Sequence, residues 1–201
     1  MDALDGLRDD EIAGLMLKIE QGTWPENPLI PVGKPFENKS GKIWNLVWGK
    51  FGSGTAIQSE AGAVRSNHFH MTDTHFIYVV SGLMYYYWRP AQPKAETPKR
   101  VRCPAGSLVF TPPMVEHATY FPKETFVVTF NSRARDHKSH ESDLVRVDPF
   151  VTSEQCPSVL YGHRCVLPYQ FVEKRDFRHP IHDGEHEDID GSTFAFQNFP
   201  G

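Results

Sequence analysis

Residues 62–82 read GAVRSNHFHMTDTHFIYVVSG and decide the fold of this chain. Three histidines, His68, His70 and His75, fall within eight residues, and an apolar run of β-branched and aromatic residues follows them up to a glycine. On a β-strand, residues two apart point to the same side, so the side chains of His68 and His70 project into one space. Because imidazole is the commonest metal-ligating side chain, this pair on a strand predicts a metal clamp.

The composition is that of a soluble globular protein. The chain has 201 residues, of which 23% are charged, and its net charge of −4 indicates neither nucleic acid nor an anionic membrane surface as a partner. With 14 Phe, 7 Tyr, 16 Pro and 15 Gly, the sequence predicts an all-β fold with many turns. No transmembrane-length segment or signal peptide is found, and three cysteines without CxxC spacing predict reduced thiols, so we expect a cytoplasmic protein. These cysteines are Cys103, Cys156 and Cys165.

Turn residues and hydrophobic periodicity divide the chain into three regions. Residues 1–40 form an N-terminal arm whose apolar residues at helical spacing predict one amphipathic helix, with Asp9 or Asp10 as its N-cap. Those apolar residues are Ile12, Leu15, Met16 and Ile19. Residues 41–148 are predicted to form the barrel, starting with a strand over 42–51. Residues 149–201 have too few apolar residues for a core of their own, so we expect an extension packed on the barrel.

The histidine stretch resembles the first motif of the cupin superfamily, small β-barrels of the jelly-roll type. That motif reads G(X)5HXH(X)3-4E(X)6G. The chain keeps every spacing, from Gly62 through His68 and His70 to Gly82, and His75 stands where the glutamate belongs.

A second stretch resembles the second cupin motif, G(X)5PXG(X)2H(X)3N. Gly106, Pro112 and His117 are in register, whereas Met114 replaces the glycine and Phe121 replaces the asparagine. The two motifs together cover residues 62–121. The resemblance implies an all-β, cupin-type jelly-roll barrel with a short N-terminal helix and a C-terminal extension.

In cupins, three ligands of the first motif and the histidine of the second meet on one metal ion. Carried over by position, the resemblance implies a four-histidine site for one divalent transition metal. Its ligands would be His68, His70, His75 and His117. Imidazoles suit Fe, Mn, Ni, Cu and Zn alike, and of these we expect Fe(II). Without the carboxylate, the charge of the ion is not compensated, which favours Lewis-acid or redox chemistry.

Alternation along the strands predicts which residues line the pocket. The residues that share a face with a histidine, and that we expect to bind substrate, are Ser66, Ile77, Val79, Thr119 and Phe121. Arg65 could bind a substrate carboxylate, but its parity is wrong unless a β-bulge intervenes. Tyr85 and Tyr87 alternate with Tyr86 and Trp88, and we assign Tyr85 and Tyr87 as catalytic phenols; the alternative for each is core filling.

Three functions follow from the resemblance. The first is a non-haem Fe(II) dioxygenase acting on a small oxygenated organic substrate that chelates the metal. The second is a non-redox isomerase, lyase or cyclase that uses Zn, Ni or Mn to stabilise an enolate. The third is a ligand-binding or sensor barrel without catalysis. The expected partner is a small-molecule substrate, with no nucleic acid and no membrane, and the resemblance implies a homodimer.

Overall fold

The computed structural model describes residues 8–92, 97–134, 136 and 141–152. These residues include the α-helix α1 and twelve β-strands, so the all-β prediction is confirmed. The helix is α1 (Asp9–Glu20), and the strands are β1 (Leu29–Ile30), β2 (Phe36–Asn38), β3 (Gly41–Ile43), β4 (Ser53–Ser59), β5 (Val64–His70), β6 (His75–Ser81), β7 (Leu83–Pro90), β8 (Lys99–Pro104), β9 (Leu108–Thr111), β10 (Val115–Tyr120), β11 (Thr125–Asn131) and β12 (Leu144–Arg146).

Ten of these strands form two antiparallel sheets. The first sheet has the order β1-β9-β6-β11-β4, and the second has the order β12-β5-β10-β7-β8. A buried cluster that includes Val79, Tyr86 and Phe121 draws its members from both sheets, and it fills the space between them. The two sheets therefore enclose one interior, as expected of a jelly roll. The strands β2 and β3 form a separate two-stranded ribbon.

The outer faces of both sheets are covered. On the first sheet, Ile12, Met16 and Ile19 of α1 pack in one buried cluster with Phe76 and with other residues of β1 and β9. The helical periodicity of the sequence is thus confirmed. On the second sheet, the segment 147–151 packs against the tyrosines of β7 and β10. Both arrangements bury apolar side chains that a two-layer sheet would otherwise expose.

Two local predictions are wrong. The N-cap of α1 is Arg8, whose backbone N–H donates to Glu11 Oε2 at 2.8 Å, so Glu11 satisfies the helix terminus in place of Asp9 or Asp10. The predicted strand over 42–51 ends at Ile43, because only Gly41–Ile43 find a partner strand, the three residues of β2. The tryptophans that follow, Trp44 and Trp48, are exposed and do not belong to a core strand.

A β-bulge interrupts β5 immediately before the first histidine. His117 pairs with His68 but Ala118 pairs with Ser66, so Asn67 is the extra residue. Ser66 and Asn67 have φ values of 72° and 55°, in the left-handed region that asparagine tolerates better than most residues. The bulge reverses the parity of the strand, and residues before it face the opposite way from that predicted by simple alternation.

The side chain of Asn67 fixes this bulge. Its Oδ1 accepts hydrogen bonds from the N–H groups of Phe150 and Val151 at 3.1 and 3.2 Å, and its Nδ2 donates to the Val151 carbonyl at 3.0 Å. The backbone carbonyl of Asn67 also accepts from the N–H of Val147 at 3.1 Å. The segment 147–151 is thereby tied to the strand that carries His68 and His70.

Several predictions fall outside the described residues. Most of the predicted extension, residues 153–201, lies there, together with Cys156 and Cys165. The boundaries at residues 40 and 148 stay predictions.

Cys103 is a buried thiol inside the barrel, where burial raises its pKa. Among the described residues, no helix is long and apolar enough to cross a membrane.

Candidate active site

Four histidines come together between the two sheets. His68 and His70 lie on β5, His117 on the neighbouring strand β10, and His75 opens β6 in the facing sheet. The ring centroid of His68 lies 4.6 Å from that of His117 and 4.9 Å from that of His70. The His75 ring lies 5.4 Å from His70 and 5.2 Å from His117. The sequence motif thus predicted a real spatial cluster.

Two overlapping sets of three side chains in this cluster have ligating atoms that lie close together. Nitrogen atoms of His68, His70 and His117 lie within 4.8 Å of one another, and so do those of His70 and His75 with a carboxylate oxygen of Asp73. Imidazole nitrogens and a carboxylate are donors that a divalent transition metal accepts. The geometry of the donor set is therefore compatible with a metal ion.

The Nδ1 atom of His70 is paired with a buried carboxylate. Its Nδ1 lies 3.2 Å from Asp143 Oδ2, and both side chains are buried, with 2% and 6% of their surface exposed. The carboxylate can only accept, so Nδ1 bears the proton and Nε2 is the nitrogen that faces the cluster. His117 is oriented the same way, because its Nδ1 lies 3.1 Å from the Val115 carbonyl, which also can only accept. Both rings therefore have Nε2 as their reactive nitrogen.

Asp143 is held as a carboxylate by several donors. The backbone N–H groups of Thr72 and Asp73 donate to it at 2.9 and 3.1 Å, and the Thr72 hydroxyl donates at 2.5 Å. Burial alone would raise the pKa of Asp143, but these hydrogen bonds and the neighbouring His70 together lower that pKa below its ordinary value. A charged carboxylate is thus fixed behind His70 by the turn between β5 and β6.

The phenol that reaches the cluster is that of Tyr86. Its ring stacks on His117 at a centroid distance of 6.0 Å, and its hydroxyl hydrogen-bonds Thr111 Oγ1 at 2.8 Å. Burial raises the pKa of Tyr86, so the phenol stays protonated at physiological pH. Tyr85 and Tyr87 lie on the other face of β7, in the buried cluster with Phe150. The structure does not bring Tyr85 and Tyr87 to the histidines.

The predicted pocket residues separate into two groups. Ile77, Val79 and Phe121 lie in the buried cluster between the sheets. Thr119 is also buried, two residues after His117 on β10. Ser66 pairs with Ala118 of the outer cluster, so the bulge turns it away from the site, contrary to the prediction.

The same bulge turns Arg65 to the inner face, where it pairs with Thr119. The Arg65 side chain is exposed, and it donates to Ser59 Oγ and to the Gln58 carbonyl at 2.8 and 2.9 Å. Arg65 therefore bridges β5 to the edge of the first sheet.

A row of buried polar side chains on the first sheet faces the histidines. Thr111 and Asn131 pair directly with His75 from the two neighbouring strands, and Thr129 lies one pair further along β11. All three are at least 97% buried. Sequence reasoning missed Asp143, Tyr86 and Asn131. Alternation could have found Tyr86 as the other member of its pair, but no sequence signal connects Asp143 or Asn131 to the motif.

Comparison with known proteins gives matches of structure only. No family model and no curated protein sequence matches the chain. A solved structure of ChmJ, a 3'-monoepimerase from Streptomyces bikiniensis in complex with dTDP-quinovose, matches at 13% identity and a TM-score of 0.50, covering 59% of this chain and 68% of ChmJ. This likeness shows the fold, and the cupin-type jelly roll is confirmed.

Two further structures match at lower TM-scores. The dTDP-4-dehydrorhamnose 3,5-epimerase from Sulfolobus tokodaii has 14% identity and a TM-score of 0.48, covering 61% of this chain and 80% of that one. QdtA, a sugar 3,4-ketoisomerase from Thermoanaerobacterium thermosaccharolyticum in complex with TDP, has 17% identity and a TM-score of 0.46, covering 57% and 83%. The chain spans 35% of the length of CapF, another matched structure.

These findings contradict the predicted Fe(II) dioxygenase. ChmJ, which shares the fold, is named as a 3'-monoepimerase and was solved with dTDP-quinovose; it is not named as an oxygenase or another oxidoreductase. The predicted Fe(II) cofactor, and with it Mn, Ni, Cu or Zn, is corrected on the same ground, because ChmJ, which shares the fold, is a 3'-monoepimerase solved with dTDP-quinovose. The resemblance of the motif to metal-binding cupins thus predicted the cluster correctly and its chemistry wrongly.

Proposed function

We propose that this protein is an isomerase or epimerase that moves a proton on a carbohydrate carrying a carbonyl group. The observation that carries the proposal is the buried pair of His70 and Asp143, in which a carboxylate holds Nδ1–H and directs Nε2 toward the interior. A histidine oriented in this way is a general base of the kind that removes a proton next to a carbonyl. The shared fold with ChmJ supports a sugar as the substrate.

The reaction needs a base on one side of the substrate carbon and an acid on the other. In the proposed step, His70 Nε2 takes the proton from the carbon next to the carbonyl, and the electron pair of the broken C–H bond forms an enolate. Tyr86, whose raised pKa keeps the phenol neutral, donates its proton to the developing oxyanion or to the opposite face of the carbon. Return of a proton to the opposite face of the same carbon inverts that carbon. Return of a proton to the former carbonyl carbon moves the carbonyl, provided that the hydroxyl on the deprotonated carbon gives up its proton to His70 or to solvent and becomes the new C=O.

The substrate is proposed to be a nucleoside-diphosphate sugar. ChmJ was solved with such a ligand, and the site here combines proton-transfer groups with hydroxyl and amide side chains suited to a sugar. In this proposal the predicted pocket residues Ile77, Val79, Thr119 and Phe121 form the walls, and Arg65 stands at the edge. No step of the reaction uses a metal ion.

Proton exchange tests this function. Protein stripped of metal with a chelator is incubated with a keto sugar nucleotide in deuterated water, and NMR follows deuterium at the carbon next to the carbonyl. The wild type should incorporate deuterium, His70→Gln should lose this activity, and Glu141→Gln, in an exposed pair with Arg146, should keep it. Activity that requires a stoichiometric transition metal would overturn the proposal.

We also propose that the protein is a homodimer and that the barrel spans residues 41–148 between an arm and an extension. Phe36 and Ile43, paired on the β2–β3 ribbon, are 63% and 61% exposed, and Trp44 beside them is 47% exposed. An isolated two-stranded ribbon with a bare apolar face is marginal in water, and a second copy would cover it. Sedimentation of wild-type protein and of a Phe36→Ser, Ile43→Ser variant tests this, since the variant should be a monomer.

A further inference from the structure

Asn131 is a buried amide whose orientation the hydrogen bonds around it determine. Its Nδ2 lies 3.3 Å from Ser53 Oγ and 3.3 Å from Thr129 Oγ1. The Ser53 hydroxyl has one proton and donates it to the Arg133 carbonyl at 2.9 Å, so Ser53 can only accept from Asn131. The end of the amide that faces Ser53 is therefore the NH2 group.

This orientation leaves the carbonyl oxygen of the amide for another partner. Among residues 8–92, 97–134, 136 and 141–152, none donates a hydrogen bond to Asn131 Oδ1, although the side chain is 99% buried. An acceptor that has no donor within the protein can accept a hydrogen bond from a water or from a ligand that enters the space between the sheets.

The position of Asn131 places this acceptor beside the reacting groups. Asn131 and His75 are directly paired across β11 and β6, so their Cβ atoms lie about 4.5–5.5 Å apart on the inner face. His75 itself lies 5.4 Å from His70 between ring centroids. A small molecule held between the two sheets would therefore meet His70 and the acceptor of Asn131 together.

We propose that Asn131 Oδ1 accepts a hydrogen bond from a substrate hydroxyl on the carbon that loses its proton. The inference rests on the proposed function, because it assigns the hydroxyl to the substrate carbon that faces His70. The substrate class is then an α-hydroxy carbonyl sugar, and a deoxy analogue at that carbon leaves Oδ1 without a donor. A site built to bond a hydroxyl rejects the analogue that lacks it.

Ser53 sets this preference through the amide. With Ser53→Ala, the NH2 group loses one of its two acceptors, and the amide can rotate to present NH2 to the substrate. Ser53 is half-buried at the start of β4, so the substitution removes one hydroxyl without opening a large cavity. Ser53 is thus a positioning residue, and its loss should weaken the discrimination while the proton-transfer groups stay in place.

The test compares binding of a keto sugar nucleotide and its α-deoxy analogue by calorimetry. The wild type should bind the hydroxyl form about 10–100-fold more tightly. Asn131→Leu should bind both forms within about threefold, and Ser53→Ala should fall between. Asn131→Ala, which also removes the acceptor, serves if Asn131→Leu does not fold. The side-chain amide resonance of Asn131 should shift with the hydroxyl form only.

The outcomes separate the two proposals. Unchanged discrimination in Asn131→Leu, or an amide resonance that ignores both ligands, overturns the role of Asn131, while deuterium exchange can still support the proton transfer. Discrimination that depends on Asn131 without any deuterium exchange overturns the proposed reaction and keeps the hydroxyl site. Wild-type protein that binds neither sugar overturns both.

Discussion

Replacing Asp143 by asparagine should both destabilise the protein and remove its proton-transfer activity. Asp143→Asn keeps the shape of the side chain and one oxygen, which can still accept from the backbone and hydroxyl of Thr72. The new NH2 group then faces the N–H groups of Asp73 and His70, which the carboxylate now satisfies at 3.1 and 3.2 Å. Two hydrogen bonds to a charged acceptor are therefore lost. The N–H groups of Asp73 and His70 would then each face the NH2 group, which is itself a donor.

The magnitude follows from those contacts. A hydrogen bond to a charged group contributes about 1.5–3 kcal/mol, and breaking a buried ion pair by removing one partner costs about 3–5 kcal/mol. Because His70 can relax by changing its tautomer, we expect the free energy of unfolding to fall by about 3 kcal/mol. Urea denaturation of Asp143→Asn beside Glu141→Gln, an exposed carboxylate of the same segment, measures it. A loss below about 0.5 kcal/mol in Asp143→Asn would refute the reasoning.

The acid dependence of stability gives an independent check on Asp143. Its pKa in the folded protein lies below the ordinary value of 3.8, so its contribution is complete above about pH 4 and is lost as the pH falls through the folded pKa. Wild-type stability should therefore decrease more steeply below pH 4 than that of Asp143→Asn. Parallel curves for the two proteins would show that the carboxylate is not stabilised in the folded state.

Three further changes have defined outcomes. Tyr86→Phe should cost about 1 kcal/mol of stability through the lost bond to Thr111 but most of the deuterium exchange; unchanged exchange would remove Tyr86 from the reaction. Asn67→Ala should cost about 3 kcal/mol and Asn67→Gly about 2 kcal/mol, because glycine restores the left-handed backbone but not the side-chain bonds; equal losses would show that strain at the bulge is unimportant. In wild-type protein, Cys103 should react with a thiol reagent only on unfolding, since it is fully buried, and a Cys103→Ala control identifies its signal.

The sequence predicted that the four histidines lie close together, because the information for this cluster is local. His68 and His70 are two residues apart on one strand, and the motif spacing brought in His75 and His117. Helical spacing likewise predicted α1, although not that the N–H of Arg8 bonds to Glu11. In these places the periodicity of the chain and the geometry of the element agree.

The rest of the site depends on pairings that no local pattern contains. Asp143 lies 73 residues from His70, in a stretch that reads as a polar connection. Ser66 was misplaced because the bulge at Asn67 shifts the register. The choice between Tyr85 and Tyr86 depends on which face of β7 points to the interior between the two sheets. The predicted dioxygenase chemistry was wrong for another reason. Clustered imidazoles can act as metal ligands or as proton-transfer groups, and residue type alone does not distinguish these two roles.

Deuterium incorporation under argon by protein freed of metal tests the central claim most directly. The substrate is a keto sugar nucleotide in deuterated buffer with a chelator, and the readout is the NMR signal of the hydrogen next to the carbonyl. The proposed proton transfer predicts loss of this signal with wild type and its persistence with His70→Gln. Persistence with wild type under these conditions, with exchange restored only by a transition metal or accompanied by oxygen uptake, would contradict it.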